Sequence, residues 1–78
     1  MACQIHRIVT FVEARLTPFA VSRLIMLSGV SVRKYGPVSD DNAQDLRKIQ
    51  IALRSLLSPR DQHDLEGILS REDPTARP

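Results

Sequence analysis

The sequence predicts an all-α protein, a compact four-helix domain followed by a loose C-terminal tail. Three observations lead to this prediction. Apolar residues recur at helical spacing, proline and glycine divide the chain into helix-sized segments, and no segment has a convincing strand pattern. With 78 residues the chain can form one domain at most. We therefore assign residues 1–70 to a single helical domain and residues 71–78 to a flexible tail.

The first helix is predicted from about residue 3 to residue 16. Its apolar residues follow one another at intervals of three and four, which places them on one face of a helix. This stripe consists of Ile5, Ile8, Val9, Val12 and Leu16. We expect the stripe to face the core of the domain.

The second helix is predicted to begin at Thr17-Pro18. Threonine is a favourable N-cap, and proline is favourable at the first helical position because its missing donor would be unpaired there anyway. Residues 19–27 are apolar on almost every side, which predicts a central helix enclosed by the others. Gly29 is placed where a helix C-cap needs a left-handed residue.

The third helix follows Ser39, Asp40 and Asp41, which are predicted to cap it or occupy its first turn. Its apolar residues are spaced by three, four and three, and we call them the apolar seam. The apolar seam consists of Leu46, Ile49, Leu53 and Leu56. Two heptads suffice for packing within a bundle or for a dimer interface. The seam is therefore predicted to form core contacts or a dimer or partner interface.

The fourth helix is predicted to begin at Ser58-Pro59, where the combination of a capping residue and proline recurs. It is expected to bury Leu65, Ile68 and Leu69. Beyond Ser70 the chain lacks a run of apolar residues and is predicted to be disordered.

The composition argues against catalysis and against a cofactor or metal. Cys3 is the only cysteine, His6 and His63 are the only histidines, and the three glycines are too far apart for a phosphate-binding loop. We predict a non-enzymatic protein with no small-molecule substrate. No apolar segment is long enough to cross a membrane, and the lone thiol suits a reducing compartment, so a cytoplasmic location is expected. Self-association or a protein partner would support so small a core.

Charge is distributed unevenly along the chain. Residues 1–36 carry five basic residues against one acidic residue, whereas residues 58–78 carry three basic residues against five acidic ones. A basic half joined to an acidic tail is typical of proteins that contact nucleic acids. Double-stranded DNA is therefore a candidate partner.

The segment SGVSVRKY, residues 28–35, resembles the turn and the start of the recognition helix in small helix-turn-helix regulators, such as phage repressors and MerR-like or excisionase-like proteins. The resemblance extends over about twenty residues, from Val21 to about Val38. At Ile25 those families prefer a small residue. The resemblance implies a helix-turn-helix over residues 17–38, in which Ser31 caps the recognition helix. The residues then implied to face DNA are Arg23, Ser31, Arg33, Lys34 and Tyr35, helped by Arg7 and Arg15.

Gly36-Pro37 limits this helix to about one turn, because proline disfavours helical geometry in the residue before it. Residues 31–36 are thus either a short recognition helix or part of an extended arm that touches phosphates. We expect a small DNA-binding protein for transcription regulation, of phage or plasmid style, that binds as a dimer. The alternative is a helical protein-interaction module, such as an adaptor, anti-activator or inhibitor, that docks on a larger protein.

Overall fold

The computed structural model describes residues 3–72, which form four α-helices and one 3-10 turn and contain no strand. The helices are α1 (Gln4–Arg15), α2 (Ala20–Ser28), α3 (Ala43–Leu56) and α4 (Pro59–Glu72), and the 3-10 turn (Val32–Lys34) lies between α2 and α3. The predicted all-α architecture with four helices is confirmed. Helix α4 extends two residues beyond the predicted domain end, and the rest of the predicted tail, residues 73–78, lies outside the described residues.

The core is built around α1, which contacts the other three helices and the 3-10 turn, while α2 and α3 pack along each other. The predicted stripe of α1 is confirmed, since four of its five residues are buried and Leu16 is half-buried against the core. Phe11 is buried beside them. Helix α4 contributes Leu65 as a buried residue, and Ile68 and Leu69 pack against the same core.

The apolar seam of α3 lies inside the chain. Ile49 is fully buried and Leu53 is 6% exposed, whereas Leu46 and Leu56 are half-buried against the core formed with α1 and α2. The seam therefore joins helices of one protomer. Ile49 and Leu53 have almost no surface left for a second subunit, so the structure does not support their predicted role in a dimer interface.

Of the helix ends predicted at Gly29, Ser58 and Thr17, the first two are confirmed and the third is wrong. Gly29 is left-handed (φ 71°, ψ 15°) and its N–H donates to the Ile25 carbonyl at 2.8 Å, while the Ser58 hydroxyl accepts from the Asp61 N–H at 3.2 Å. Helix α2, however, begins at Ala20 with no side-chain cap, and Thr17 contributes only its backbone carbonyl.

Helix α2 is not enclosed on all sides, which corrects the sequence-based expectation. Its inner face buries Ala20, Val21 and Leu24. Its opposite face remains in solvent, and we call this surface the α2 outer face. It consists of Phe19, Ser22, Arg23, Met26 and Leu27. Because α2 packs mainly on α3 and partly on α1, no described element covers its remaining side, and the apolar residues there stay exposed.

Candidate nucleic-acid interface at the α2–α3 connection

The residues predicted to form the recognition helix fold into a single 3-10 turn. Ser31 (φ −77°, ψ 77°) is the centre of an inverse γ-turn, in which the Val32 N–H donates to the Val30 carbonyl at 2.9 Å. The next turn closes when the Lys34 N–H donates to the Ser31 carbonyl at 3.2 Å. The Ser31 hydroxyl makes no capping hydrogen bond, so its predicted capping role is wrong. The segment is neither a regular recognition helix nor an extended arm.

The turn ends because the chain becomes extended at Tyr35 (φ −86°, ψ 119°). Gly36 then donates its N–H to the Ser39 hydroxyl at 2.9 Å, and the Ser39 N–H donates back to the Gly36 carbonyl at 3.2 Å. Pro37 lies inside this second turn and cannot donate to a continuing helix. The sequence-based expectation that Gly36-Pro37 limits the helix to about one turn is confirmed.

Burial alternates along the connection and determines which side chains face outward. Val30 and Val32 are buried, whereas Ser31, Arg33 and Lys34 are exposed. Because the two valines pack into the core, the turn is attached on one side and presents its polar side chains on the other. The 3-10 turn therefore forms a small basic projection from the domain.

Tyr35, the last residue predicted to face DNA, points inward instead. It is 9% exposed, and its hydroxyl donates to the Asp45 carboxylate at 2.5 Å. The Lys34 ammonium lies 3.6 Å from the same carboxylate oxygen and 5.3 Å from the centre of the tyrosine ring. This hydrogen bond and burial raise the pKa of Tyr35 to about 12, and the same hydrogen bond lowers the pKa of Asp45. The hydroxyl is thus already donated, and a phosphate cannot use it.

Asp41 anchors the far end of the connection to the start of α1. One carboxylate oxygen accepts from the Gln4 N–H at 3.0 Å, and the other accepts from the Ile5 N–H at 2.9 Å and the Cys3 thiol at 3.1 Å. Burial alone would raise the pKa of Asp41, but these hydrogen bonds and the charge of Arg7 outweigh it and lower that pKa. Asp41 therefore caps α1 rather than α3, in contrast to the sequence-based expectation.

Helix α3 is capped by a residue that the sequence reasoning did not select. The Asn42 side-chain oxygen accepts from the backbone N–H groups of Gln44 and Asp45 at 3.0 and 3.2 Å. Adjacent residues 41 and 42 thus cap two different helices. A sequence signal for this division exists, because Cys3 provides no capping side chain for α1 while several capping residues precede α3.

Two further contacts attach the connection to α1. The Cys3 N–H donates to the Pro37 carbonyl at 3.0 Å, and the His6 Nδ1 atom lies 3.2 Å from the Tyr35 carbonyl. Burial raises the pKa of the Cys3 thiol, which disfavours its nucleophilic thiolate form. Among the side chains that the structure describes, those of residues 3–70, no group of three or more metal-binding residues comes together.

Most of the basic residues near the N-terminus lie beside carboxylates. Arg15 contacts Asp64 at 2.9 Å and Asp61 at 3.4 Å, so the basic and acidic ends of the sequence meet where α1 packs on α4. The Lys34 ammonium lies near the Asp45 carboxylate, as described, and the positive charge of Arg7 helps to lower the pKa of Asp41. Among the described residues, only the guanidinium groups of Arg23 and Arg33 from this basic half have no such neighbour.

The structure thus separates the predicted DNA-facing residues into three groups. Ser31, Arg33 and Lys34 are exposed together on the connection, Tyr35 is buried behind them, and Arg23 lies on the α2 outer face. No helix in the described part of the chain has the length and apolar content needed to cross a bilayer. Comparisons with models of known protein families, with curated proteins and with solved structures find no match to this chain.

Proposed function

We propose that this protein is a small non-enzymatic DNA-binding regulator whose contact with duplex DNA is made by the connection between α2 and α3. The observation that supports this proposal most directly is the outward projection of Ser31, Arg33 and Lys34 from a turn whose valines are buried. A hydroxyl, a guanidinium and an ammonium are donors that phosphate oxygens accept. The resemblance of residues 28–35 to the turn of helix-turn-helix regulators supports the same reading.

The geometry favours phosphate contacts over extensive reading of base edges. A regular recognition helix presents residues to the major groove over several turns, whereas this chain offers one 3-10 turn with three exposed polar residues. Lys34 is 60% exposed despite its carboxylate neighbour, so its ammonium remains accessible to a phosphate. We therefore expect weak binding with about two phosphate contacts per protomer, and little preference for sequence.

An anisotropy titration against a random-sequence duplex at about 50 and 200 mM salt tests this proposal, since each phosphate contact contributes about −0.9 to the slope of log K against log salt. Two contacts predict a slope of about −2 and roughly a tenfold loss of affinity over this range. The double variant Arg33→Ala, Lys34→Ala should lose most of the slope. Arg54→Ala, Arg60→Ala removes the same charge from exposed sites on α3 and α4 and should leave the slope nearly unchanged. Absence of binding at the lower salt, or equal losses in both variants, would refute the proposal.

A second function is supported by a different observation. The α2 outer face exposes three large apolar side chains on two helical turns, which suits a protein-interaction module that docks on another protein. The two functions use different residues, because the connection follows Gly29 and the α2 outer face precedes it.

A further inference from the structure

The α2 outer face combines strong apolar exposure with a single charge. Phe19 is 76% exposed, Met26 is 83% exposed and Leu27 is 49% exposed. Relative to Phe19, the other large residues of the face follow at four, seven and eight positions, which brings Phe19, Arg23, Met26 and Leu27 onto one stripe. Along this stripe, Arg23 is therefore a cation flanked by apolar side chains.

The corresponding surfaces of other helices differ from this one. The exposed residues of α3 include Ile51 as their single large apolar side chain, among the polar residues Gln44, Arg47, Lys48, Gln50, Arg54 and Ser55. Isolated exposed apolar residues are normal on protein surfaces, whereas adjoining ones mark contact sites. The face on α2 has the spacing that helix-in-groove or helix-on-helix contacts use.

A second copy of this chain is a poor occupant of the face. Arg23 lies midway between Phe19 and Leu27, so an antiparallel two-fold pair that covers both ends places Arg23 against its own equivalent. A parallel two-fold pair also matches each residue with itself. Residues 19–29 contain no aspartate or glutamate that could neutralise the two guanidinium groups. Like charges meeting in a desolvated contact oppose association.

We propose that the α2 outer face binds an amphipathic helix of a different protein, in which apolar side chains flank a central carboxylate. The apolar side chains would cover Phe19, Met26 and Leu27, and the carboxylate would pair with Arg23. The Arg23 guanidinium has no carboxylate partner among the described side chains, residues 3–70, so it is available for this contact. This inference rests on the second proposed function and is independent of DNA binding.

Selection from a displayed library of amphipathic helices tests the partner's chemistry. The helices, about 16 residues long, carry fixed apolar anchors and one randomised position between them. The full chain is the bait, and helices that also bind the Met26→Ser variant are discarded. We expect Asp and Glu to be enriched about tenfold over Lys and Arg at the randomised position, and the Arg23→Glu variant to reverse this preference. Ile51→Ser, which changes an exposed apolar residue on α3, should bind the selected helices normally.

The outcomes separate the partner assignment from the docking surface itself. If no helix binds in a way that depends on Met26, the α2 outer face is not a docking site. If Met26-dependent helices show no preference for a carboxylate, the interaction module survives and the assigned partner chemistry is wrong. Circular dichroism confirms that each variant is folded, which the exposure of Met26 and Arg23 leads us to expect.

Two further measurements can overturn the choice of occupant. Sedimentation equilibrium would do so if it showed a homodimer that Met26→Asp dissociates, since the second copy would then cover this face. Vesicles of phosphatidylcholine and phosphatidylglycerol would do so if they bound the protein and Met26→Ser abolished that binding. We expect neither result.

Discussion

Replacement of Asp41 by alanine tests the contact that joins the α2–α3 connection to α1. The carboxylate accepts two backbone N–H groups and one thiol at the start of α1, so the substitution removes three hydrogen bonds at once. Loss of an N-cap costs about 0.5–2 kcal/mol, and we place this site near the upper end because the Ile5 side chain is fully buried and water reaches its N–H poorly. The expected loss in the free energy of unfolding is about 2 kcal/mol.

A loss of this size is easily measured in a domain of 78 residues. Since 1 kcal/mol shifts the midpoint of thermal unfolding by about 4–8 °C in small domains, the Asp41→Ala midpoint should fall by about 8–16 °C. Urea unfolding followed by circular dichroism gives the free energy directly. Asp41→Asn keeps one acceptor oxygen but removes the charge beside the helix N-terminus, so it should lose about half as much as Asp41→Ala.

Asp40→Ala is the matched control, because Asp40 is exposed, adjacent in sequence and equal in charge. It should change stability by less than about 0.5 kcal/mol. The pH dependence gives a second check. The pKa of Asp41 is lowered in the folded protein, so its contribution is present above the unfolded value of about 3.9 and is lost as the pH falls through the folded value. Equal stabilities of Asp41→Ala and Asp40→Ala at neutral pH would refute the assignment of Asp41 as the cap of α1.

Three other predictions follow from burial and backbone geometry. Tyr35→Phe should destabilise the protein by about 1 kcal/mol, because its carboxylate acceptor loses a donor. The pKa of Tyr35 is raised in the folded protein, so the stability that Tyr35 contributes is complete below the pKa of an unfolded tyrosine, about 10, and is lost as the pH rises to about 12. An absorbance titration in which the phenolate forms near pH 10 would contradict this. Gly29→Ala should lower the free energy of unfolding by about 1–2 kcal/mol because of its left-handed backbone alone, since no atom lies within 4 Å of the added carbon. Gly67→Ala, inside α4, should instead raise it by about 0.5–1 kcal/mol. Urea unfolding in which both variants change stability in the same direction would contradict this. Ile49→Ala, at a fully buried residue, should cost about 2–5 kcal/mol of stability, whereas Ile51→Ala, at an exposed one, should change it by less than about 0.5 kcal/mol. Similar midpoints of urea unfolding for the two variants would contradict the placement of the apolar seam in the core.

The sequence predicts the parts of this fold that depend on local chemistry. The end of α2 at Gly29 and the start of α4 at Ser58 follow from a left-handed backbone and a capping hydroxyl, and both depend only on residues close in sequence. The position of α3 follows from the spacing of its apolar seam. Whether that seam would contact the same chain or another could not be predicted, because spacing identifies an apolar face and not the surface that covers it.

The α2 outer face also could not be predicted from the spacing of its apolar residues. Its segment is apolar nearly all round, a pattern that predicts complete enclosure. Enclosure requires neighbours on every side, and α2 packs mainly against α3 with a smaller contact to α1. The assignment of Asp41 to α3 failed for a related reason, since its actual partners are 36–38 residues away in the sequence. Local capping rules do not describe such distant pairs.

In the folded chain, basic residues lie beside carboxylates that are distant in the sequence. The five basic residues within residues 1–36 made nucleic acid a candidate partner, but the fold brings Arg15 to Asp61 and Asp64, and Lys34 to Asp45. Exposed pairs of this kind contribute little stability, about 0–1 kcal/mol each, yet they weaken the positive potential that a polyanion would sense. Arg23 and Arg33 have no carboxylate partners among the side chains of residues 3–70. Arg33 projects from the connection beside Ser31 and Lys34, which can also donate hydrogen bonds to phosphate oxygens, whereas Arg23 is flanked by apolar side chains of α2. The two guanidinium groups therefore suit different partners.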